Sequence, residues 1–145
     1  MIRVEIEGDK EISRALRRIA TAAQKAAFIG EATEEAFERS LHYIKPHTKS
    51  GTMEDSLDHR VRGHEGRVFF SPNVPYAVYV HFGTRKHIIQ PKKRKALRFE
   101  TPSGFAFAKR VEHPGYKGDP FFKKAADDTF KKLGDIIERS MNAAL

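Results

Sequence analysis

Residues 97–145 read LRFETPSGFAFAKRVEHPGYKGDPFFKKAADDTFKKLGDIIERSMNAAL, and their hydrophobic period changes midway. In the first part Leu97, Phe99, Phe105 and Phe107 alternate with polar residues, the period of a strand with one covered face. Strands over 96–100 and 105–111, joined by Thr101-Pro102-Ser103-Gly104, make an antiparallel hairpin. The phenylalanines of the chain, these included, mostly fall at core-facing spacing. His113-Pro114-Gly115 then breaks the chain. After it Phe122, Ala126, Phe130, Leu133, Ile137, Met141 and Ala144 recur every three or four residues, the period of an amphipathic helix. Asp119 is the predicted N-cap and Pro120 suits the first helical position.

Working upstream, Ile2, Val4 and Ile6 alternate with Arg3, Glu5 and Glu7 as a short strand. Ile12, Leu16, Ile19 and Ala23, and beyond them Phe37, Leu41 and Ile44, carry a helical period that Pro46 stops. Basic residues (Arg14, Arg17, Arg18, Lys25) precede Gly30 and acidic ones (Glu31, Glu34, Glu35, Glu38) follow it, against the helix dipole. Either two helices meet near Gly30, or one long helix pairs its ends with neighbouring subunits. Residues 57–62 and 67–71 form a second hairpin around 63–66. The segment 76–82 is a strand or a short helix capped by Asn73. This order predicts one α+β domain over 1–145, a central antiparallel sheet packed with a long N-terminal helix and a C-terminal helix.

Composition bounds the function. The 145 residues include no cysteine, so no disulfide or thiolate chemistry operates. No apolar run approaches the roughly 20 residues that span a bilayer. The first ten residues, MIRVEIEGDK, place acids where an export signal would be apolar. The net charge is +8. Residues 66–99 contain eight cations and no acid, so the rest of the chain sums to zero. Such a concentrated patch favours an anionic partner.

Seven histidines raise the question of catalysis or metal binding. None has a neighbouring ligand set at a recognised spacing. His81, His87 and His113 sit in a basic region without a paired carboxylate, so the simple reading is that they pack or make hydrogen bonds. No phosphate-binding glycine loop or nucleophile elbow is present. The chain is expected to be neither an enzyme nor a cofactor binder.

Four blocks carry a resemblance. NVPYAVYVHFGT (73–84) resembles the Tyr-Ala…Val-Glu-x-Gly-Thr signature of the neck and tail-completion proteins of long-tailed bacteriophages, the gp-ten-like proteins related to minor tail protein Z. IIQPKKRKALRF (88–99) is similar to that family's Ile-x-Pro-Lys…Ala-Leu-x-Phe run. FAFAKRVEHPGYKGDPFFKKA (105–125) resembles its Val-x-His-Pro-Gly block with Pro-Phe-Phe and a last helix, and SGTMEDSL (50–57) its Thr-Gly-x-Leu…Ser element, with Met53 in place of leucine. His81 stands where the family usually carries Glu.

The resemblance implies a virion structural protein, made in the host cytoplasm, forming a ring between head and tail tube, sixfold in preference to twelvefold. Its partners would be other neck and tail-tube proteins, with packaged DNA in the lumen and no membrane. Tyr76, Tyr79, His81, Gly83, Thr84, Arg85, Ile88 and Ile89 would then serve subunit contacts. Lys92, Lys93, Arg94 and Lys95 would meet DNA or an acidic surface. The loop 83–95 is expected to be a basic docking arm, its isoleucines buried on a neighbour and its cations facing Glu31, Glu34, Glu35 and Glu38 of that neighbour. The alternative function is a nucleic-acid-binding module using 85–98.

Overall fold

The computed structural model describes residues 22–143. The strand expected at 2–6 and the helix expected before Ala22 lie outside them. Helix α1, Ala22–Ile44, is unbroken and forms the spine of the body. It continues through Gly30, where an added Cβ would meet nothing within 4 Å. Three of the acids that follow Gly30 are paired inside the chain. Glu31 pairs with Arg139 at 3.3 Å, Glu34 with His59 at 2.9 Å, and Glu35 with Arg39 at 2.8 Å and Lys132 at 2.9 Å. Hydrogen bonds first from Lys132 and then from Arg39 hold the Glu35 carboxyl below its ordinary range.

After one turn of 3-10 helix, Lys45–His47, and the one-turn helix α2, Thr52–Asp55, the chain enters a hairpin. Strands β1, Leu57–Arg62, and β2, Glu65–Phe70, pair antiparallel, with Arg62 opposite Glu65. The turn is therefore only Gly63-His64, two residues tighter than the spacing predicts, and Gly63 supplies its positive φ of 57°. Segment 76–82 resolves as helix α3, Ala77–Phe82. It is entered through a backbone turn, the Ala77 N–H donating to the Val74 carbonyl at 3.1 Å, with no side-chain cap from Asn73.

The chain then leaves the body and returns. Strand β3, Gly83–Thr84, pairs with β8, Tyr116–Lys117; β4, His87–Ile89, with β7, Val111–His113; and β5, Leu97–Thr101, with β6, Gly104–Ala108. All three ladders are antiparallel and nested, so 83–117 is one interrupted hairpin, an arm whose tip is Pro102-Ser103. Two residues on each side (85–86 and 114–115) interrupt the first gap, and seven against two (90–96 and 109–110) the second. The fold is α+β as expected. Its antiparallel pairing comes as four two-stranded ladders among the described residues, with no shared central sheet, because three of them are successive rungs of one arm.

Helices α4, Phe121–Lys131, and α5, Leu133–Asn142, close the chain and pack on α1. The turn tightens at Lys132, whose N–H donates to the Thr129 carbonyl at 3.0 Å, so the single predicted helix is two. Asp119 does not cap α4 with its side chain; Pro120 holds the cap position and the Asp119 carboxylate turns to Lys124 and His47. The buried face runs Phe121, Phe122, Ala125, Thr129, Ile136 and Ser140, displaced from the predicted stripe, and Met141 is exposed. Thr129 and Ser140 tolerate burial because their hydroxyls donate to the carbonyls of Ala125 and Ile136, both at 2.8 Å. Ser40 in α1 does the same to Ala36 at 2.7 Å.

Two clusters hold the body together. Ile44, Met53, Leu57, Val68, Val74, Ala77, Phe121 and Phe122 join α1, α2, the first hairpin, α3 and α4. Phe28 and Ile136 with Leu133 and Ile137 join α1 to α5. Phe121 has no exposed surface and meets the rings of Phe70, Phe122 and His81. Phe121→Ala should lower the unfolding free energy by about 3–5 kcal/mol, whereas Met141→Ala should stay within roughly 0.5 kcal/mol. Chemical denaturation of both variants checks the displaced face.

Candidate functional site

The arm is the feature that the body does not absorb. Between Gly83 and Lys117 stand ten cations (Arg85, Lys86, Lys92, Lys93, Arg94, Lys95, Arg98, Lys109, Arg110, Lys117) and two acids (Glu100, Glu112). That is +8, the net charge of the whole chain; the remaining 17 cations and 17 acids cancel. Within the arm, Lys86 and Arg110 lie 3.5 and 3.7 Å from Glu112. Lys92, Lys93, Arg94 and Lys95 are all exposed, on the seven-residue excursion between β4 and β5.

The base of the arm is a close backbone crossing. Gly83 has φ of +80°, and a Cβ there would collide with the Tyr116 carbonyl oxygen. A Cβ on Gly118 would collide with the backbone of Gly83 and Phe82. Glycine is needed at both for the strands to approach. Asp119 locks the same place. Its N–H donates to the Val80 carbonyl at 2.9 Å, and its carboxylate meets Lys124 at 2.6 Å and His47 at 2.9 Å. The Tyr116 hydroxyl reaches the other His47 ring nitrogen at 3.3 Å. Lys124 first, then His47, hold the Asp119 carboxyl below its usual range. Further along, the His87 and His113 rings stack across the ladder at 4.8 Å.

Of the residues expected at a contact surface, Tyr76 and Tyr79 are exposed, Arg85 and Ile88 are exposed on the arm, and Gly83, Thr84 and Ile89 are half-buried. His81 corrects the expectation. It lies in the core against Phe82, Phe121 and Phe122, and burial holds its ring below the ordinary histidine range. The helical turn of α3 explains it: residues 77 and 81 share the inward face, while Tyr76, Tyr79 and Phe82, spaced by three, line the outer side. Phe82, 70% exposed, was not among the expected residues. The acids assigned to a neighbour's docking face, Glu31, Glu34 and Glu35, are already paired within the chain.

The tip of the arm departs further from the sequence reading. Arg98 stands opposite Phe107, and Glu100 opposite Phe105, so these four side chains share one face of the ladder. Leu97, Phe99, Ala106 and Ala108 share the other. Phe105 and Phe107 are 54% and 69% exposed. The Arg98 guanidinium lies 3.6 Å from the Phe105 ring centroid, a cation–π contact. Alternation marks the apolar side of each strand, but the register sets Phe105 and Phe107 on the opposite face from Leu97 and Phe99, so the four do not form one covered face.

Of the remaining histidines, His59 meets the Phe37 ring and His42 the Tyr43 ring, while His64 is exposed in the turn between β1 and β2. Among the described residues no three His, Asp or Glu side chains gather as metal ligands, and no helix is long and apolar enough to cross a membrane. The arrangement offers binding surfaces: an aromatic ledge on α3, a basic excursion and an aromatic tip.

Gly83→Ala should destabilise the arm base by about 1–3 kcal/mol through the strained φ and the collision, seen as faster proteolytic cleavage within 83–117. Gly30→Ala, in an open helical position, should instead stabilise by roughly 0.5–1 kcal/mol. Equal effects of the two would contradict the crossing.

Comparison with protein-family models, with curated proteins and with solved structures finds no match.

Proposed function

We propose that the chain is a structural subunit of a bacteriophage head–tail neck, a ring-forming neck or tail-completion protein resident in the virion. One observation carries the reading: sequence blocks far apart in the chain, and resembling that family, meet at the base of a long arm. Gly83-Thr84 belongs to the block 73–84, His113-Pro114-Gly115 and Asp119-Pro120-Phe121-Phe122 to the block 105–125, and they lie together where the arm joins the body. A charge-neutral body with a projecting arm suits assembly, since a ring is built by one patch docking on a different patch of the next copy. Sixfold symmetry is the preferred arrangement, with other neck and tail-tube proteins above and below.

In the phage that encodes the chain, deleting its gene should leave full heads and finished tails unjoined, as counted by electron microscopy. Purified virions that stay joined and lack the chain by mass spectrometry overturn the reading.

The concentration of the net charge on the arm favours a second reading, a nucleic-acid-binding module acting through 85–98. If the seven cations of that segment engage duplex DNA, affinity should fall with salt at a log–log slope near −6. A slope near zero removes this reading and leaves the first intact.

A further inference from the structure

Among the described residues, two groups of exposed aromatic side chains stand at opposite ends of the arm. The ledge is Tyr76, Tyr79 and Phe82, which are 43%, 59% and 70% exposed. It adjoins the arm's base, since Phe82 leads directly into β3. The second patch is Phe105 and Phe107 near the tip. Along the returning strand, Tyr116 at the base lies nine residue steps from Phe107, on the order of 30 Å when extended. While the β3–β8 and β4–β7 ladders stand, the tip does not fold back onto its own ledge.

We infer that the Phe105–Phe107 face of the arm docks on the Tyr76–Tyr79–Phe82 ledge of a second copy of this chain. It deepens the ring-forming reading by naming both halves of its contact. Three observations select this occupant. First, at about 200 Å² per aromatic side chain, the exposed fractions leave roughly 250 Å² on the tip face and 340 Å² on the ledge, patches of similar size. Together they supply the apolar centre of an interface of the usual 1,200–2,000 Å² or so. Second, a lone two-stranded hairpin with exposed phenylalanines is marginal in water and gains from cover. Third, charge discriminates between the modes of self-association. Two arms at +8 each repel, which disfavours a symmetric arm-to-arm pair, whereas the ledge segment 72–84 holds no Lys, Arg, Asp or Glu, so arm against ledge carries a smaller penalty. The contact is therefore head-to-tail: each copy offers its tip to one neighbour and its ledge to another, as a closed ring requires.

The absence of cysteine makes the test clean. Single variants Phe107→Cys and Tyr79→Cys, purified separately, are mixed and treated with a short bifunctional maleimide. The expected product is a covalent dimer containing one of each, formed in the mixture and in neither variant alone. Cross-linking of Phe107→Cys to itself, or no mixed dimer, overturns the proposal. A second measurement guards against local disturbance. Phe105→Ser with Phe107→Ser should weaken self-association by about 30-fold or more, as loss of buried interface aromatics does, and leave the body's thermal unfolding unchanged. Undiminished self-association overturns the proposal. If that variant instead loses binding to a single-stranded oligonucleotide, the tip is a base-stacking face. Neither readout needs a virion, so failure here is separable from failure of the neck assignment.

Discussion

The contact of His81 with Phe121, ring centroids 4.7 Å apart, fixes the end of α3 against the start of α4. The backbone bond from Asp119 to the Val80 carbonyl repeats the constraint one step away. Between these points lies the whole segment 83–117. Closing a loop of that length costs conformational entropy that grows only slowly with length, and the burial of Phe121 and Phe122 offsets it. Once the two ends are held side by side, antiparallel pairing is the simplest way to satisfy the backbone groups that follow them. The arm is thus a consequence of the body's core.

That constraint explains why His81 is histidine-tolerant but not charge-tolerant. The ring sits edge-on to Phe121 and Phe82 in an apolar pocket, and burial favours its neutral form. A carboxylate at the same place would be an unpaired buried charge. With His81 turned inward, this chain presents no acidic side chain at that position. The aromatic outer side of α3 replaces it as the exposed feature of the segment.

Much of the secondary structure was legible in the sequence, and the reasons for the misses are physical. Period two located the strands of both hairpins, and period three-to-four located α1 and the last helical region. The register of β1–β2 was missed by two residues because Gly63 alone allows the tight turn that brings Glu65 and Gly66 into the ladder. In the last helical region Phe122, Leu133 and Ile137 of the predicted stripe do pack inward, but the centre of the buried face is displaced because Thr129 and Ser140 count as polar in a sequence, yet a hydroxyl satisfied by its own helix packs like a small apolar group. The short ladders β3–β8 and β4–β7 carry two and three residues a side, too few for any periodicity to register.

The candidate surface was legible in its charge and illegible in its aromatic part. The acid-free basic segment stands out in the linear chain without any structure. Phe105 and Phe107 do not, because alternation marks a strand's two faces equally well whether a face meets a core or solvent. Only tertiary closure decides, and here closure at Gly83 and Gly118 carries those rings away from the core that claims Phe121 and Phe122. The same spacing that suggests interior side chains in one part of the chain therefore produces, on a projecting hairpin, an exposed apolar face. Such a face leaves apolar area in water, at a cost to the stability of the isolated chain.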